Sequence, residues 1–492
     1  MKTRSISLMM RLLLGLLVSV SATLQVSGVE NLQEKSVDTP RAPQGLWTGS
    51  ISIMGSELNI LVTFTAKSDS ISASIDIPQQ MALGLPLKNV SWRPPRIHFE
   101  LPAGPGLAVF DGTAWKDSMA GDFTQGGIRG TFTLRRNEEA AQPAKAKPEE
   151  PPPPYREEEV KFSSDTVTIS GTLTIPTGRG PHPAVILITG SGAHNRDEEL
   201  FGFKPFRVMA DYFTRHGLAV LRCDDRGVGG STGSKPGSTS ADHAADVLAS
   251  VGYLRKRPDV IANQIGLCGH SEGGLIAPLA ASRSPGIAFI VLIAGPSVPG
   301  DRLILFQLES LMRSAGADES QIASTLAQQE RAFVCVRTGN GWDSLAAEMR
   351  GEVAASIASM TPEQRKAFPD SAAFVNANVN HRLSAARSPW FRYFIDCDPL
   401  PALEYVRCPV LALFGELDMQ VPVGLNKEPM EKALGRSSSK DWRVEVIPKA
   451  NHLFQKAVTG NPSEYATLEK SFVAGFLDLM TGWMLKRVPV SR

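Results

Sequence analysis

The chain has 492 residues, too many for one ordinary hydrophobic core, and its 42% hydrophobic content is typical of a folded globular protein. Its 51 basic and 50 acidic side chains nearly cancel. That balance gives no electrostatic reason to expect nucleic acid or an anionic membrane as a partner, so no nucleic-acid partner is predicted. From the length we expect two or three globular domains.

The N-terminus has the pattern of an export signal. Lys2, Arg4 and Arg11 supply positive charge, an apolar run extends from Leu12 to Val20, and small residues follow at 21–22 and 27–28. Because the apolar run is too short to cross a bilayer comfortably, we predict a cleaved signal peptide over residues 1–28. The mature chain would then be periplasmic or secreted and would have no integral membrane span.

Residues 40–137 predict a small all-β domain. Apolar and polar residues alternate in "SELNILVTFT" and "SISASIDI", and clusters of Gly, Pro and Asp separate such runs. We expect an antiparallel sandwich or an open barrel that serves as an accessory packing or binding module. A linker is predicted over residues 138–159, where four consecutive prolines impose a stiff, extended conformation.

Residues 160–487 predict a mostly parallel sheet covered by helices on both faces. Apolar strand-like runs such as "PAVILITG", "LAVLRC" and "AFIVLIAG" alternate with helical patterns, as in α/β domains. From about residue 300 to 398 the pattern is helical, with Thr361 and Gln364 spaced as a capping pair. We interpret this stretch as a helical cap inserted into the α/β domain and expect it to cover the substrate pocket.

Two serines match the pattern Gly-x-Ser-x-Gly, in which a nucleophilic serine sits on a sharp turn from a strand to a helix. Ser271 has that context, because the strand-like "QIGLC" precedes it and the helical "GGLIAPLAASR" follows. Ser231 lies in "DDRGVGGSTGSKPG", a run of loop residues with no helix start. The sequence therefore favours Ser271 as the nucleophile.

A nucleophilic serine needs a base and an acid that orients the base, and in this architecture both follow the serine, acid first. Only His381 and His452 follow Ser271, and His381 precedes the strand that should carry the acid. This leaves His452 as the base. The acid is predicted to be Asp418, in the turn after "VLALFG", with Glu416 as the alternative.

Two backbone N–H groups should bind the negatively charged oxygen of the reaction intermediate. One belongs to Glu272, the residue after the nucleophile, and the other to Ser191 in "TGSGAHN", with Gly192 as its alternative. A glycine-rich turn could also bind phosphate, but the dinucleotide and Walker patterns are absent. No residue set has metal-ligand spacing, so no metal or other cofactor is predicted.

With these residues located, the sequence resembles the secreted α/β-hydrolase esterases of the EstD type. The resemblance covers Val160 to Arg487 and rests on five segments, "LITGSGAHNRDE", "FKPFRVMADYFTRHGLAVLRCDDRGVGGSTG", "IGLCGHSEGGLIAP", "CPVLALFGELDMQVP" and "IPKANHLFQ". It implies an α/β-hydrolase fold with a helical cap, hydrolysis of carboxylic esters, and Ser271, Asp418 and His452 as nucleophile, acid and base.

The sequence thus predicts an exported serine hydrolase that cleaves small-molecule carboxylic esters through an acyl-enzyme intermediate. Two alternatives stay open, a serine peptidase related to aminopeptidases and a non-catalytic binding protein on a relic hydrolase fold. The partner of the β domain is not predicted. Export would permit a disulfide between Cys397 and Cys408, which are close in sequence.

Overall fold

The N-terminal strands form one continuous antiparallel sheet in a computed structural model that describes residues 42–53, 56–67, 70–77, 82–102, 106–137 and 153–489. The nine strands lie in the order β4-β3-β2-β1-β9-β8-β7-β6-β5. Sequence neighbours therefore pair, except β4 and β5 at the two ends of the order, and β1 also pairs with β9. Their bounds are β1 Gly45–Ile53, β2 Ser56–Lys67, β3 Ser70–Ile77, β4 Ala82–Pro86, β5 Lys88–Arg93, β6 Arg96–Leu101, β7 Ala108–Ala114, β8 Ser118–Gln125 and β9 Ile128–Arg136.

The alternation seen in the sequence places one face of this sheet in an aromatic core. Successive side chains of a strand point to opposite faces, so every second residue is buried. Phe99 stacks on Phe110 with ring centroids 4.6 Å apart, and Phe132 meets both rings edge-on. The predicted all-β domain is confirmed, and its nine strands belong to one continuous antiparallel sheet.

The second sheet has eight strands and carries the α/β part of the chain. Its order is β10-β11-β13-β12-β14-β15-β16-β17, with β10 and β11 as an antiparallel hairpin and the strands from β13 to β17 parallel. The bounds are β10 Tyr155–Ser164, β11 Val167–Pro176, β12 His182–Ile188, β13 Ala219–Cys223, β14 Val260–His270, β15 Ile290–Ile293, β16 Val410–Gly415 and β17 Trp442–Ile447. All residues of β12, β15 and β16 are buried, as a sheet covered on both faces requires.

The helices alternate with these strands and then fill the insertion. They are α1 Pro205–Arg215, α2 Ser240–Arg255, α3 Glu272–Arg283, α4 Gly300–Ser314, α5 Glu319–Thr338, α6 Trp342–Ala358, α7 Pro362–Arg365, α8 Ser371–Ala386, α9 Pro389–Asp396, α10 Leu400–Tyr405, α11 Val423–Arg436 and α12 Phe476–Leu485. The predicted Thr361–Gln364 capping box is present, but it begins a helix of only four residues. Within the described ranges, no helix is both long and apolar enough to span a bilayer.

The helical insertion is divided between two compact units. Residues 308–386 group with the nine-stranded sheet, whereas 300–307 and 387–398 belong with the α/β part of the chain. Ile357, Phe368 and Phe374 of the insertion are buried in the same core as the N-terminal sheet, and Arg129 N–H donates to the carbonyl of Ala367. The middle of the predicted cap therefore shares its core with the β domain.

The predicted boundaries differ from the structure at the start of the α/β part. Strand β10 begins at Tyr155, so residues 155–159, assigned above to the linker, belong to the first hairpin. The rest of the predicted linker, 138–152, and the predicted signal peptide, 1–28, lie outside the described residues. All five cysteines, Cys397 and Cys408 included, are free thiols.

Candidate active site

Ser271 occupies a tight turn between strand β14 and helix α3. Its φ is +53°, a left-handed backbone conformation that is unfavourable for a residue with a side chain. Both glycines of the motif are required because a side chain would not fit at either position. A Cβ at Gly269 would lie 2.0 Å from the carbonyl oxygen of Gly273, and a Cβ at Gly273 would lie 2.2 Å from the carbonyl oxygen of Ile188. The strand, the turn and the helix start predicted around Ser271 are all present.

Ser231, the other match to the motif, is buried, and its hydroxyl is hydrogen-bonded within the protein. It is 7% exposed, and its hydroxyl donates to the carbonyl of Asp224 at 2.8 Å while accepting from Ser170 N–H at 2.9 Å. These two bonds join the loop after β13 to strand β11. A hydroxyl with both bonds inside the protein is a poor candidate for attack on a substrate.

Asp418 and His452 lie together at the carboxyl ends of adjacent parallel strands. Asp418 follows β16, His452 follows β17, and Asp418 Oδ2 is 2.8 Å from His452 Nδ1. Both residues are 4% exposed, and Asp418 Oδ1 accepts from the N–H groups of Gln420 and Val421. Burial acts to raise the pKa of Asp418, but the charge and hydrogen bond of His452 and the two N–H groups outweigh it, so the pKa lies below its usual value.

Glu416, the alternative acid, is placed elsewhere. Its side chain is exposed and accepts a hydrogen bond from the backbone N–H of Lys449 at 2.7 Å. His381, the other histidine after Ser271, lies in helix α8 of the insertion. Of the residues considered from sequence, the structure therefore pairs Asp418 with His452.

His452 contacts the residue that immediately precedes the serine. His270 Nε2 is 3.0 Å from the His452 carbonyl oxygen, and the two imidazole rings have centroids 4.8 Å apart. In the described part of the chain, Ser271 Oγ makes no hydrogen bond to His452. Catalytic hydrogen bonds of this kind are often long before substrate binds and tighten in the complex.

The turn after strand β12 lies against Ser271. A Cβ built on Gly190 would be only 3.1 Å from Ser271 Cβ, and Gly190 N–H donates to Glu198 Oε1 at 2.7 Å. The next residue, Ser191, is exposed, and its N–H has no acceptor among the described residues. Ser191 N–H, one residue beyond the contact with Ser271, is therefore unpaired among the described residues, as is Glu272 N–H in the first turn of α3.

The side chain of Glu272 forms a buried hydrogen-bond network that sequence reasoning missed. Its carboxylate accepts from Ser191 Oγ at 2.9 Å, from Ser240 Oγ at 2.6 Å and from Trp390 Nε1 at 2.9 Å. It is only 2% exposed. Glu272 therefore ties the turn after β12 to helices α2 and α9. Its position directly after the serine is the one sequence signal that points to it.

The loop after strand β13 also supports the turn after β12. Asp225 accepts from Thr189 Oγ1 at 2.7 Å and from His194 N–H at 2.9 Å. Asp224 pairs with Arg196 at 2.7 Å and is 4% exposed. His194 lies 2.7 Å from the Ser191 carbonyl oxygen, so it packs on the turn. Across the described ranges, no group of His, Cys, Asp and Glu has an arrangement suited to a metal ion.

Comparison with known proteins identifies the family. A family model described as the alpha/beta hydrolase family matches residues 185–467. The chain belongs to this family. The match includes the Ser271 turn and the Asp418–His452 pair and leaves the nine-stranded sheet outside it.

Two curated proteins and a solved structure are similar to this α/β hydrolase. Esterase EstD of Thermotoga maritima is 26% identical over 333 residues, which are 66% of this chain and 68% of EstD, and it confirms the resemblance drawn from sequence. The mitochondrial acyl-coenzyme A thioesterase 2 of mouse is 30% identical over 145 residues, 29% of this chain and 28% of the thioesterase. A Pyrococcus furiosus esterase structure covers 68% of this chain and 91% of its own, at 16% identity and a TM-score of 0.39.

Proposed function

We propose that this α/β hydrolase cleaves carboxylic esters through an acyl-enzyme formed on Ser271. The observation that carries the proposal is the buried pair of Asp418 Oδ2 and His452 Nδ1, 2.8 Å apart, with the base in contact with the residue next to the serine. The name of the similar Thermotoga maritima protein, esterase, supports the same reaction class.

In the proposed mechanism, His452 acts as general base and then as general acid. Nδ1 carries the proton that faces Asp418, so Nε2 is free to take the proton of Ser271 as its oxygen attacks the ester carbonyl. The charged carboxylate of Asp418 stabilises the imidazolium that results. His452 then gives the proton to the leaving alcohol, and it activates the water that releases the acid.

The oxyanion of the tetrahedral intermediate is proposed to bind the N–H groups of Ser191 and Glu272. The Ser191 hydroxyl donates to the Glu272 carboxylate, so the two segments are joined to each other, and the same carboxylate is held by Trp390 Nε1. Donors fixed before the reaction need no rearrangement as the negative charge develops, which is why such sites are effective.

Labelling with a fluorophosphonate tests the proposal. We expect the wild-type chain and Ser231→Ala to react, and Ser271→Ala to show no labelling and a fall in kcat for a p-nitrophenyl ester of about 10⁶-fold. Equal losses in both serine variants would contradict the assignment of the nucleophile. Faster turnover of aminoacyl anilides than of esters would instead favour a peptidase, and no labelling of any variant would favour a binding protein.

We also propose that the chain is exported. The charged start and the apolar run from Leu12 to Val20 support this. Expression of the full chain in a bacterium with an export pathway should yield a periplasmic or secreted protein whose mass lacks 20 to 30 residues, about the length of a signal peptide. An intact N-terminus in the cytoplasmic fraction would refute export.

A further inference from the structure

A buried Glu198–His270 pair connects two loops of the proposed active site. One is the turn after β12 that carries the proposed oxyanion donor Ser191, called the oxyanion turn below, and the other is the loop after β17 that carries the proposed base His452. Glu198 Oε1 accepts from Gly190 N–H at 2.7 Å and lies 3.0 Å from His270 Nδ1. On the other side of the same ring, His270 Nε2 lies 3.0 Å from the carbonyl oxygen of His452. Polar contacts therefore run without a break from the residue before Ser191 to the backbone of the base.

The two partners of His270 define its charge. A carboxylate oxygen and a carbonyl oxygen only accept hydrogen bonds, so His270 satisfies both contacts only when each ring nitrogen carries a proton. Burial acts to lower the pKa of His270, but the charge and hydrogen bond of Glu198, the His452 carbonyl and the charge of Asp418 outweigh it and raise the pKa above its usual value. The two hydrogen-bond contacts and the raised pKa therefore both favour a His270 ring that carries a proton on each nitrogen.

Glu198 is held in this place against its backbone preference. Its φ is +48°, in the left-handed region, and its side chain is 1% exposed. Such a conformation persists only where the surrounding contacts determine it, and these positions cluster at functional sites. Among the described residues, Oε2 has no hydrogen-bond partner. The contacts of the carboxylate therefore meet at Oε1, the atom that Gly190 and His270 share.

We propose that Glu198 is a positioning residue that, through His270, holds the oxyanion turn and the catalytic base in one arrangement. This inference rests on the proposed function, because it takes Ser191 and His452 in the roles given there. Neither Glu198 nor His270 is assigned a contact with substrate. Since the link needs both ring protons, it weakens when His270 loses one, and the activity acquires an alkaline limit that depends on Glu198.

Three substitutions in the full chain test this. Glu198→Ala removes the acceptor and the charge, and we expect kcat to fall about 100-fold with little change in KM, as for the displacement of one oxyanion donor. Glu198→Gln keeps an oxygen for Gly190 N–H but loses the charge. In Glu198→Gln, the fall of kcat at alkaline pH should begin about one pH unit lower than in wild type, because the Glu198 charge no longer favours the protonated His270 ring. His270→Gln has no proton to lose there, so this fall should disappear.

His243→Gln is the matched control. His243 is also a buried histidine beside a carboxylate, 7% exposed in its side chain like His270, with Asp246 3.7 Å away. A role in stability alone would lower the thermal midpoint in all these variants and leave every pH profile unchanged. A wild-type pH profile in either Glu198→Gln or His270→Gln, or the same fall in kcat in His243→Gln, would overturn the inference.

The same measurements separate this inference from the proposed function. If Ser271→Ala keeps its activity, the proposed function fails and the positioning role fails with it. If Ser271→Ala is inactive while Glu198→Gln retains the wild-type kcat and pH profile, only the positioning role is refuted. Should Glu198→Ala fail to fold, the near-isosteric Glu198→Gln still decides the question.

Discussion

Replacing Asp418 by Asn isolates the contribution of the acid to the proposed reaction. The amide oxygen of Asn can still accept from the N–H groups of Gln420 and Val421, so the turn after β16 should keep its shape. The amide nitrogen, however, would face His452 Nδ1 and donate to it. The imidazole would then carry its proton on Nε2, the nitrogen that has to accept the proton of Ser271.

The expected loss is large because both the tautomer and the charge are wrong. Removing the carboxylate while keeping the geometry costs about 10⁴-fold in kcat in serine enzymes of this type, which corresponds to about 5.4 kcal/mol of transition-state stabilisation. The assay is the initial rate of p-nitrophenyl ester hydrolysis at saturating substrate, with the thermal midpoint as a check on folding.

Glu416→Gln is the matched control for Asp418→Asn. The two carboxylates are two residues apart, but that of Glu416 is exposed and binds only the N–H of Lys449 among the described residues. We expect kcat to change by less than about twofold, since a surface substitution of this kind alters free energies by about 0.5 kcal/mol or less. A loss in Glu416→Gln equal to that in Asp418→Asn would refute the choice of acid.

The lowered pKa of Asp418 gives the same pair of proteins a second readout. A carboxyl whose pKa is lower in the folded state stabilises the fold above its unfolded pKa of about 3.9, and this contribution is lost as the pH falls through the folded value. The difference in free energy of unfolding between wild type and Asp418→Asn should therefore shrink below about pH 4. Urea unfolding at several acidic pH values measures it, and a constant difference would contradict the pairing.

Substitutions at Ser231 and Trp390 test structural roles around the site. Ser231→Ala should reduce the free energy of unfolding by about 1–3 kcal/mol, because both buried hydrogen bonds of the hydroxyl are lost, while kcat per folded molecule stays unchanged. Trp390→Phe should lower the free energy of unfolding by about 1.5–3 kcal/mol, because the hydrogen bond to the Glu272 carboxylate is lost while the ring stays stacked on Phe394. Trp390→Leu loses the stacking as well and should lower it further. Chemical denaturation measures both variants, and an unchanged free energy of unfolding in Trp390→Phe would contradict the network.

The elements that carry the candidate site could be predicted because they obey rules of local pattern. Continuous apolar runs separated by helical patterns specify a parallel sheet, and the carboxyl ends of its strands meet at one edge. That rule alone brings the turns after β16 and β17 together, which is where Asp418 and His452 meet. The sequence favours Asp418 over Glu416 by position alone, whereas the structure shows that the carboxylate of Asp418 contacts His452 and that of Glu416 does not.

The supporting network could not be predicted in the same way. Glu198, His270 and Trp390 act through contacts with residues 8 to 182 positions away, and no local periodicity encodes such pairings. Helical period likewise indicates that the insertion has an apolar face without showing what that face packs against. For this reason the shared core of Phe374 with the N-terminal strands was not foreseen, and the whole insertion was assigned to the catalytic domain.

The shared packing of the β1–β9 sheet with the insertion has a consequence for how this chain could have been assembled. The sheet precedes the catalytic region in sequence, yet side chains from both, including Phe132 and Phe374, are buried in a common interior. A gene segment starting after the prolines would encode helices with that interior laid open to water, which favours aggregation. Recombination that added or removed the β1–β9 sheet alone would therefore expose this shared core, so the sheet and the helical insertion have to change together.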